Sequence, residues 1–299
     1  MSKRKHSIKE WIIATRPWSF PASAMPVLVT LMYLYWTGDN EINWFTGVWA
    51  LINVVLFHAA GNTWSDYQDF MKGVDTPDTC GATTMTTGQF SPKEIRNLSL
   101  MLLIIAVVAG VTLMFLTGWE LFWFGLGGLL CVALYPYMKY RALGDLVIAI
   151  SYAWLPCWGT SYVAIGSIDM SVWTLMIPVG CITVAILHSN NTRDVHSDAH
   201  ANITTLAMKV GHRKAQMMHG FYLLFPFVMT LGCILWNLFP VWSFLVYLSL
   251  PMALRNVREM ISCDVDNTSS ISTLDQQTAQ LQLLFSVLFS ISFVIAAWI

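Results

Sequence analysis

The sequence predicts an all-helical integral membrane protein built as a single domain over residues 1–299, and three observations predict it. Hydrophobic residues make up 56% of the chain against 11% charged. Apolar runs of about 20 residues, the length that carries a helix across bilayer hydrocarbon, recur from one end to the other. The charges are sorted by loop in the manner of a membrane protein with fixed orientation.

Hydropathy and turn signals place nine spans near residues 18–36, 44–62, 98–117, 119–137, 145–166, 170–190, 215–236, 238–254 and 280–299. Ahead of the first, MSKRKHSIKE is basic but leads into a segment with Arg16, Pro17 and Pro21 rather than a short apolar core and cleavage site, so no cleaved signal peptide is expected. Spans three and four are separated by the tight 116–120 connection, and spans seven and eight by 236–240. Span five opens with Leu143, Gly144 and Asp145. The polar, turn-rich segment 263–278 reads as a linker before the last span.

With the basic N-terminus on the cytoplasmic side, the cytoplasmic segments are 1–17, 63–97, 138–144, 191–214 and 255–279, and they hold all 16 Lys and Arg residues of the chain. The opposite loops carry only acids, Asp39, Glu41, Glu120 and Asp169. That asymmetry satisfies the positive-inside rule throughout. The cysteines, Cys80, Cys131, Cys157, Cys181, Cys233 and Cys263, form no CxxC pair or metal spacing and read as small buried hydrophobes.

Spans two and six both run from outside to inside, and each ends in an Asn and Asp cluster. The first places Asn62, Asp66, Asp69 and Asp75 in sequence; the second places Asn190, Asn191, Asp194 and Asp198. If helix continues past each span, Asp66 and Asp69 share a face, as do Asp194 and Asp198. Carboxylates that close repel, more strongly as the dielectric falls near the membrane, and a bound cation removes the cost. Hard oxygen ligands with positions left for water or phosphate suit Mg²⁺. An enzyme that binds a diphosphate through bridging Mg²⁺ needs such a pair of sites, and a lipid tail on that diphosphate accounts for their place at the membrane edge. The alternative class is an ion or metal transporter. Transporters place binding groups near the midplane, whereas here the span interiors hold no Asp, Glu, Lys or Arg, and His58 and Asn53 are the main deep polar residues.

Four stretches, ATRPWSFPAS, DYQDFMKGVDTPD, MKYRALGDL and NNTRDVHSDAHANITTLAMKVG, occur in an order and at positions that resemble the UbiA superfamily of intramembrane prenyltransferases, most of all the dihydroxynaphthoate prenyltransferases of menaquinone synthesis. The resemblance covers residues 11 to about 215 and is weak over the last three spans. It implies nine helices around a central cavity, capped by cytoplasmic loops that carry the two Asp-rich motifs. It implies Mg²⁺ held by Asp66, Asp69 and Asp75 in the first motif and by Asp194 and Asp198 in the second, with Asp66, Asp69, Asp194 and Asp198 as the catalytic set. Asn62, Lys72, Lys139, Arg141 and Arg193 would steady the diphosphate; Arg16 matches the family's early Arg-Pro and is assigned, with Asp145 and Tyr152, to the cavity or acceptor. The implied reaction is ionisation of a polyprenyl diphosphate to an allylic cation and its capture by an electron-rich aromatic ring, 1,4-dihydroxy-2-naphthoate giving demethylmenaquinone, or else another aromatic or lipid acceptor.

The expected setting is a bacterial inner membrane, active site on the cytoplasmic side, with prenyl diphosphate, acceptor and lipid as partners and no nucleic acid. Aromatics such as Trp64, Tyr135, Tyr137, Tyr152 and Trp154 offer faces to a cation, or simply pack at the interface. Where the family carries Asn before the first Asp this chain has Ser65; Ala82 and Thr84 replace a Gly-Pro and nearby Arg region, and Asn202 and Ile203 replace a Gly-Lys. Two cations are therefore missing, which predicts weaker diphosphate binding, a changed acceptor, or a silent binding relative. Asp145 reads either as a helix N-terminal acid or as a residue of the cavity mouth. His188, His196 and His200 lack zinc spacing and read as loop residues.

Overall fold

A computed structural model describes residues 6–38, 41–76 and 83–299. Asp39, Cys80 and Ala82 lie outside the described residues. Twelve α-helices are labelled here. α1 (Ile8–Ala14), α2 (Pro21–Thr37) and α3 (Trp44–Met71) are followed, past a four-residue turn at Thr83–Thr86, by α4 (Pro92–Thr117) and α5 (Leu121–Lys139). Next come α6 (Gly144–Ile165), α7 (Met170–Arg193), α8 (Val195–His200), α9 (Leu206–Val210) and α10 (His212–Leu235). A 3₁₀ segment Val241–Ser249 leads into α11 (Leu250–Ser262), and α12 (Leu274–Trp298) closes the chain.

Local chemistry sets several of these boundaries. Ser7 with Glu10 caps α1, and Ser91 with Glu94 caps α4, each by reciprocal side-chain and backbone hydrogen bonds. α3 does not stop where its apolar run ends at residue 62 but continues to Met71, so Asn62, Asp66 and Asp69 ride on its last turns. A π-turn over Ile150–Trp154 interrupts α6 just ahead of Pro156, whose missing N–H suits a broken ladder.

Among the described helices, seven are long and apolar enough to cross a membrane: α3, α4, α5, α6, α7, α10 and the stretch containing α12. Two of the expected spans differ. α2 has 17 residues, marginal for a crossing. The expected span 238–254 is split between 3₁₀ helix and α11, which carries Arg255, Arg258 and Glu259 and so has one apolar face only. The expected linker also holds a 3₁₀ turn, Thr268–Ile271, and α12 begins at Leu274, earlier than hydropathy indicated.

α2, α7, α10 and α12 share the main core, where Leu31, Leu175, Ile182, Leu223, Phe285, Phe289 and Phe293 are all but fully buried. α3 packs along α4, and α5 and α6 complete the wall beside them. Only 11% of the apolar stretch of α4 and 6% of that of α5 is buried. Ile104, Val108 and Phe115 point outward, the arrangement of helices whose solvent is lipid.

Candidate active site

A cavity of about 410 Å³ opens between the C-terminal ends of α3, α5 and α7, and all five expected metal ligands, Asp66, Asp69, Asp75, Asp194 and Asp198, line it. The two motifs, more than a hundred residues apart in sequence, thus face one space. Asp275, from the start of α12, joins them. Six aspartates therefore stand against three cations, Arg16, Lys139 and Arg193.

Asp66 and Asp69 are buried on α3. Arg16 Nη1 donates to Asp66 Oδ1 at 2.7 Å. Arg16 can reach because it ends α1 in the left-handed region, φ 60°, immediately before Pro17, which bars the helical conformation to the residue preceding it. The Asp66 carboxylate raises the Arg16 pKa above its ordinary value. Asp69 accepts from Tyr140 Oη at 2.5 Å and from Lys139 Nζ at 3.4 Å, both at the end of α5. Burial, followed by the nearby Asp69, pushes the Tyr140 hydroxyl up. Beyond α3, Gly73 at φ +71° reverses the chain, and Val74 N donates back to Asp69 O at 2.8 Å. That turn is the left-handed helix ending glycine favours, and it swings Asp75 toward Asp69. Burial, then the charges of Asp69 and Asp66, pushes Asp75 up to about 7.

At the second motif α7 ends at Arg193, and Asp194 and Asp198 lie one turn apart across the start of α8, with Asp198 N donating to Asp194 O at 2.9 Å. Arg193 binds both oxygens of Asp194 at 2.8 Å and lies 3.3 Å from Asp275. Its Nη1 also donates to the Ser272 carbonyl at 3.2 Å. This arginine ties the motif to the segment before α12 as well as facing the cavity. Burial pushes Asp198 up to about 6, with Lys139 opposing.

Other expected residues are placed as follows. Asn62, Arg16, Lys139 and Tyr152 line the cavity. Lys72 is exposed and rests over the rings of Tyr140 and Tyr137, 4.0 and 5.0 Å from their centroids. Neither Lys72 nor the exposed Arg141 is brought to the cavity wall. Asp145 is buried behind the wall in the first turn of α6, where its Oδ2 is hydrogen-bonded to His188 Nδ1 at 2.8 Å. His188 Nε2 reaches the Ala215 carbonyl at 3.0 Å, so His188 bridges α6, α7 and α10 from within the fold rather than lying in a polar loop. His196 and His200 do stay at the surface of the α8 region. Thr84 faces the cavity, whereas Asn202 takes a left-handed turn at φ 56° and Ile203 is buried. Tyr140 and Asp275 are neighbours of the two motifs that sequence reasoning missed; Tyr140 sits inside MKYRALGDL beside Lys139, but Asp275 belongs to no motif.

A second cavity of about 260 Å³ lies among α3, α4, α5 and α6, almost wholly apolar, and shares Val54, Phe57, Gly128 and Ser151 with the first.

Among the described residues no three His, Cys, Asp or Glu side chains converge closely enough to hold a metal by themselves. The donor set still fits Mg²⁺ ligated in ones and twos from each side, with phosphate and water completing the shell. Asp198 Oδ2 and Asn190 Oδ1 are buried at this cavity with no hydrogen-bond partner, a state that invites a ligand.

A family model described as the UbiA prenyltransferase family matches residues 24–265. The chain belongs to this family. UbiA relatives include UbiA prenyltransferase domain-containing protein 1 of Mus musculus, 31% identical over 98% of this chain and 86% of that protein. The Xenopus tropicalis protein of the same name is 30% identical over 98% of this chain and 84% of its own length. A UbiA homolog from Aeropyrum pernix K1 has a similar fold, with TM-score 0.68 at 13% identity over 97% of this chain and 99% of that one. So does a UbiA homolog from Archaeoglobus fulgidus solved bound to GPP and Mg²⁺, with TM-score 0.62 at 12% identity and the same coverage. Family and fold thus agree on a UbiA-type integral membrane prenyltransferase. The two curated relatives are vertebrate proteins, so they lend nothing to a bacterial setting or to a specific naphthoate acceptor.

Proposed function

We propose that this protein transfers a polyprenyl group from a polyprenyl diphosphate to an aromatic acceptor, with the diphosphate head at the cytoplasmic rim and the tail in the membrane. The observation that carries this reading is the convergence of both Asp motifs on one cavity, beside an apolar second chamber that shares part of its lining. Asp66, Asp69 and Asp75 on one side and Asp194 and Asp198 on the other would hold Mg²⁺, which when bound offsets the charge of the departing diphosphate. Arg16 and Lys139 add fixed positive charge at the same rim. Tyr140 and Lys139 orient Asp69, and Arg193 orients Asp194. Deeper in, Phe57, Tyr135 and Tyr152 keep water from an allylic cation and present ring faces to it. The tail extends past Phe57 and Gly128 into the second chamber.

1,4-Dihydroxy-2-naphthoate is the first acceptor to try, as the motif resemblance suggests. A neutral two-ring hydroquinone is the second reading, favoured by the cavity's excess of aspartate over cation, which disfavours a carboxylated ring. The sorting of all 16 Lys and Arg residues to one side supports a cytoplasm-facing site. Purified protein in detergent with Mg²⁺, prenyl diphosphates of several lengths and both acceptors tests the proposal through product mass and diphosphate release. No turnover with either acceptor, while Asp66→Ala and Asp194→Ala leave ligand binding intact, sinks it; Mg²⁺ flux in proteoliposomes would point to transport.

A further inference from the structure

Each motif holds one carboxylate that an arginine has claimed. Arg16 pairs with Asp66 on the first side, and on the second Arg193 forks both oxygens of Asp194 at 2.8 Å. The positive partner offsets the charge that Asp66 or Asp194 can offer a divalent cation. On the first side Asp69 and Asp75 still face the cavity. On the second, the motif has only Asp198 left. Asp275 adds a third carboxylate there. It lines the same cavity from the first turn of α12, and its Oδ1 is buried 3.3 Å from Arg193 Nη1 without a directed hydrogen bond.

The segment between α11 and α12 brings Asp275 to this place, held to the second motif and to α10 through its backbone carbonyls. His196 Nε2 donates to the Val265 carbonyl at 2.8 Å, His212 Nε2 to the Cys263 carbonyl at 3.0 Å, and Arg193 Nη1 to the Ser272 carbonyl at 3.2 Å. In return Thr268 Oγ1 donates to the Arg193 carbonyl at 2.7 Å. Ile271 and Leu274 are buried with Met260 and Cys263, which fixes the strap from its apolar side. An acid in the first turn also favours the helix it opens. That role needs neither an arginine nor a cavity, and Asp275 meets both.

From this geometry, and resting on the proposed Mg²⁺-dependent prenyl transfer, we infer that Asp275 is a positioning residue for metal binding at the second motif, acting through Arg193. Its charge offsets part of the guanidinium's, so that Asp194 keeps its attraction for a metal while Arg193 holds it in orientation. The second side of the cavity then carries three carboxylates, Asp194, Asp198 and Asp275, as the first carries Asp66, Asp69 and Asp75. The third acid on the second side comes from outside both motifs. Loss of such a partner behind a metal ligand weakens metal binding by about 10- to 100-fold.

The experiment uses the full-length protein in detergent, with Mn²⁺ as the probe and inorganic diphosphate present or absent, and reads free Mn²⁺ by electron paramagnetic resonance. Asp275→Asn, which removes the charge and keeps the shape, is expected to weaken Mn²⁺ binding by about 10-fold or more. Asp275→Glu, which keeps the charge, should stay much closer to the wild type. The double variant Arg193→Gln with Asp275→Asn should bind Mn²⁺ several-fold more tightly than Asp275→Asn alone, because removing the cation removes the need for its counter-charge. In turnover with geranyl diphosphate, Asp275→Asn should raise the Mg²⁺ needed for half-maximal diphosphate release more than it lowers the rate at saturating Mg²⁺. Wild-type Mn²⁺ affinity in Asp275→Asn overturns the inference whatever happens to the melting temperature. So does a double variant that binds no better than Asp275→Asn, since a tie that is only structural is not repaired by cutting its other end. Failure of the wild-type protein to bind Mn²⁺ with or without diphosphate instead overturns the metal-dependent transferase reading itself.

Discussion

Asp69 shows how one residue of the site is set. Alone on α3 it is a carboxyl group near apolar surroundings; Tyr140 and Lys139 fix its orientation, as the proposed Mg²⁺ site requires. Replacing Tyr140 with Phe removes the shortest of these bonds while leaving the ring on which Lys72 rests. The expected outcome is a 10- to 100-fold weaker apparent Mg²⁺ affinity, the usual effect of losing a ligand's orienting partner, read from the Mg²⁺ dependence of diphosphate release. Asp75 and Asp198 supply a pH prediction. Their carboxyls, pushed up to about 7 and about 6, keep protons that a metal must displace. The Mg²⁺ needed for half-maximal activity should thus rise as pH falls from 8 to 6, and Asp75→Asn should remove the part near pH 7. The sign for stability is opposite: without metal, the fold binds more protons than the unfolded chain between about pH 4 and pH 7, so thermal stability should decline as pH rises through that range. A melting temperature that climbs instead would contradict the assignment.

At the scale of elements, the ends of α3 and α5 matter more than their apolar middles. Gly73 has open space around a would-be Cβ, so Gly73→Ala meets no clash, but its φ of +71° suits glycine alone. The substitution should cost about 1 kcal/mol of stability and raise the Mg²⁺ requirement by displacing Asp75, both measurable on one purified variant. Gly128 lines both cavities, again with nothing near its Cβ position. Gly128→Phe should shorten the longest prenyl diphosphate accepted while leaving geranyl transfer within a few fold; unchanged chain-length preference would place the tail elsewhere. Elements were legible in the sequence where a long apolar run dictated them, as in α4 and α7. They were left open where polar residues continue a helix, as at the end of α3, and misjudged where an apolar run adopts 3₁₀ geometry, as over Val241–Ser249. Hydropathy reports solvent preference, and neither of those outcomes depends on it.

For the molecule as a whole, the sorting of cations by loop predicts opposite exposure for opposite ends of the bundle. Arg141→Cys should react with a membrane-impermeant thiol reagent from the cytoplasmic side only, and Met170→Cys, also exposed, only from the other. The sequence by itself determined the membrane class, the order of the apolar helices and the identity of the two acidic motifs, because hydropathy, charge placement and short spacing are local properties. Only the tertiary structure decided which groups meet. Arg16 with Asp66, Tyr140 with Asp69, Arg193 with Asp275, and His58 with Ser19 and Ser23 are contacts between residues some 35 to 82 positions apart. The same holds for Asp145, which the sequence left between a helix start and a cavity mouth and which the fold buried against His188. No local period encodes such meetings; they follow from how the helices pack, and packing fixes which buried polar atoms find partners and which, like Asp198 Oδ2 and Asn190 Oδ1, are left without one at the cavity.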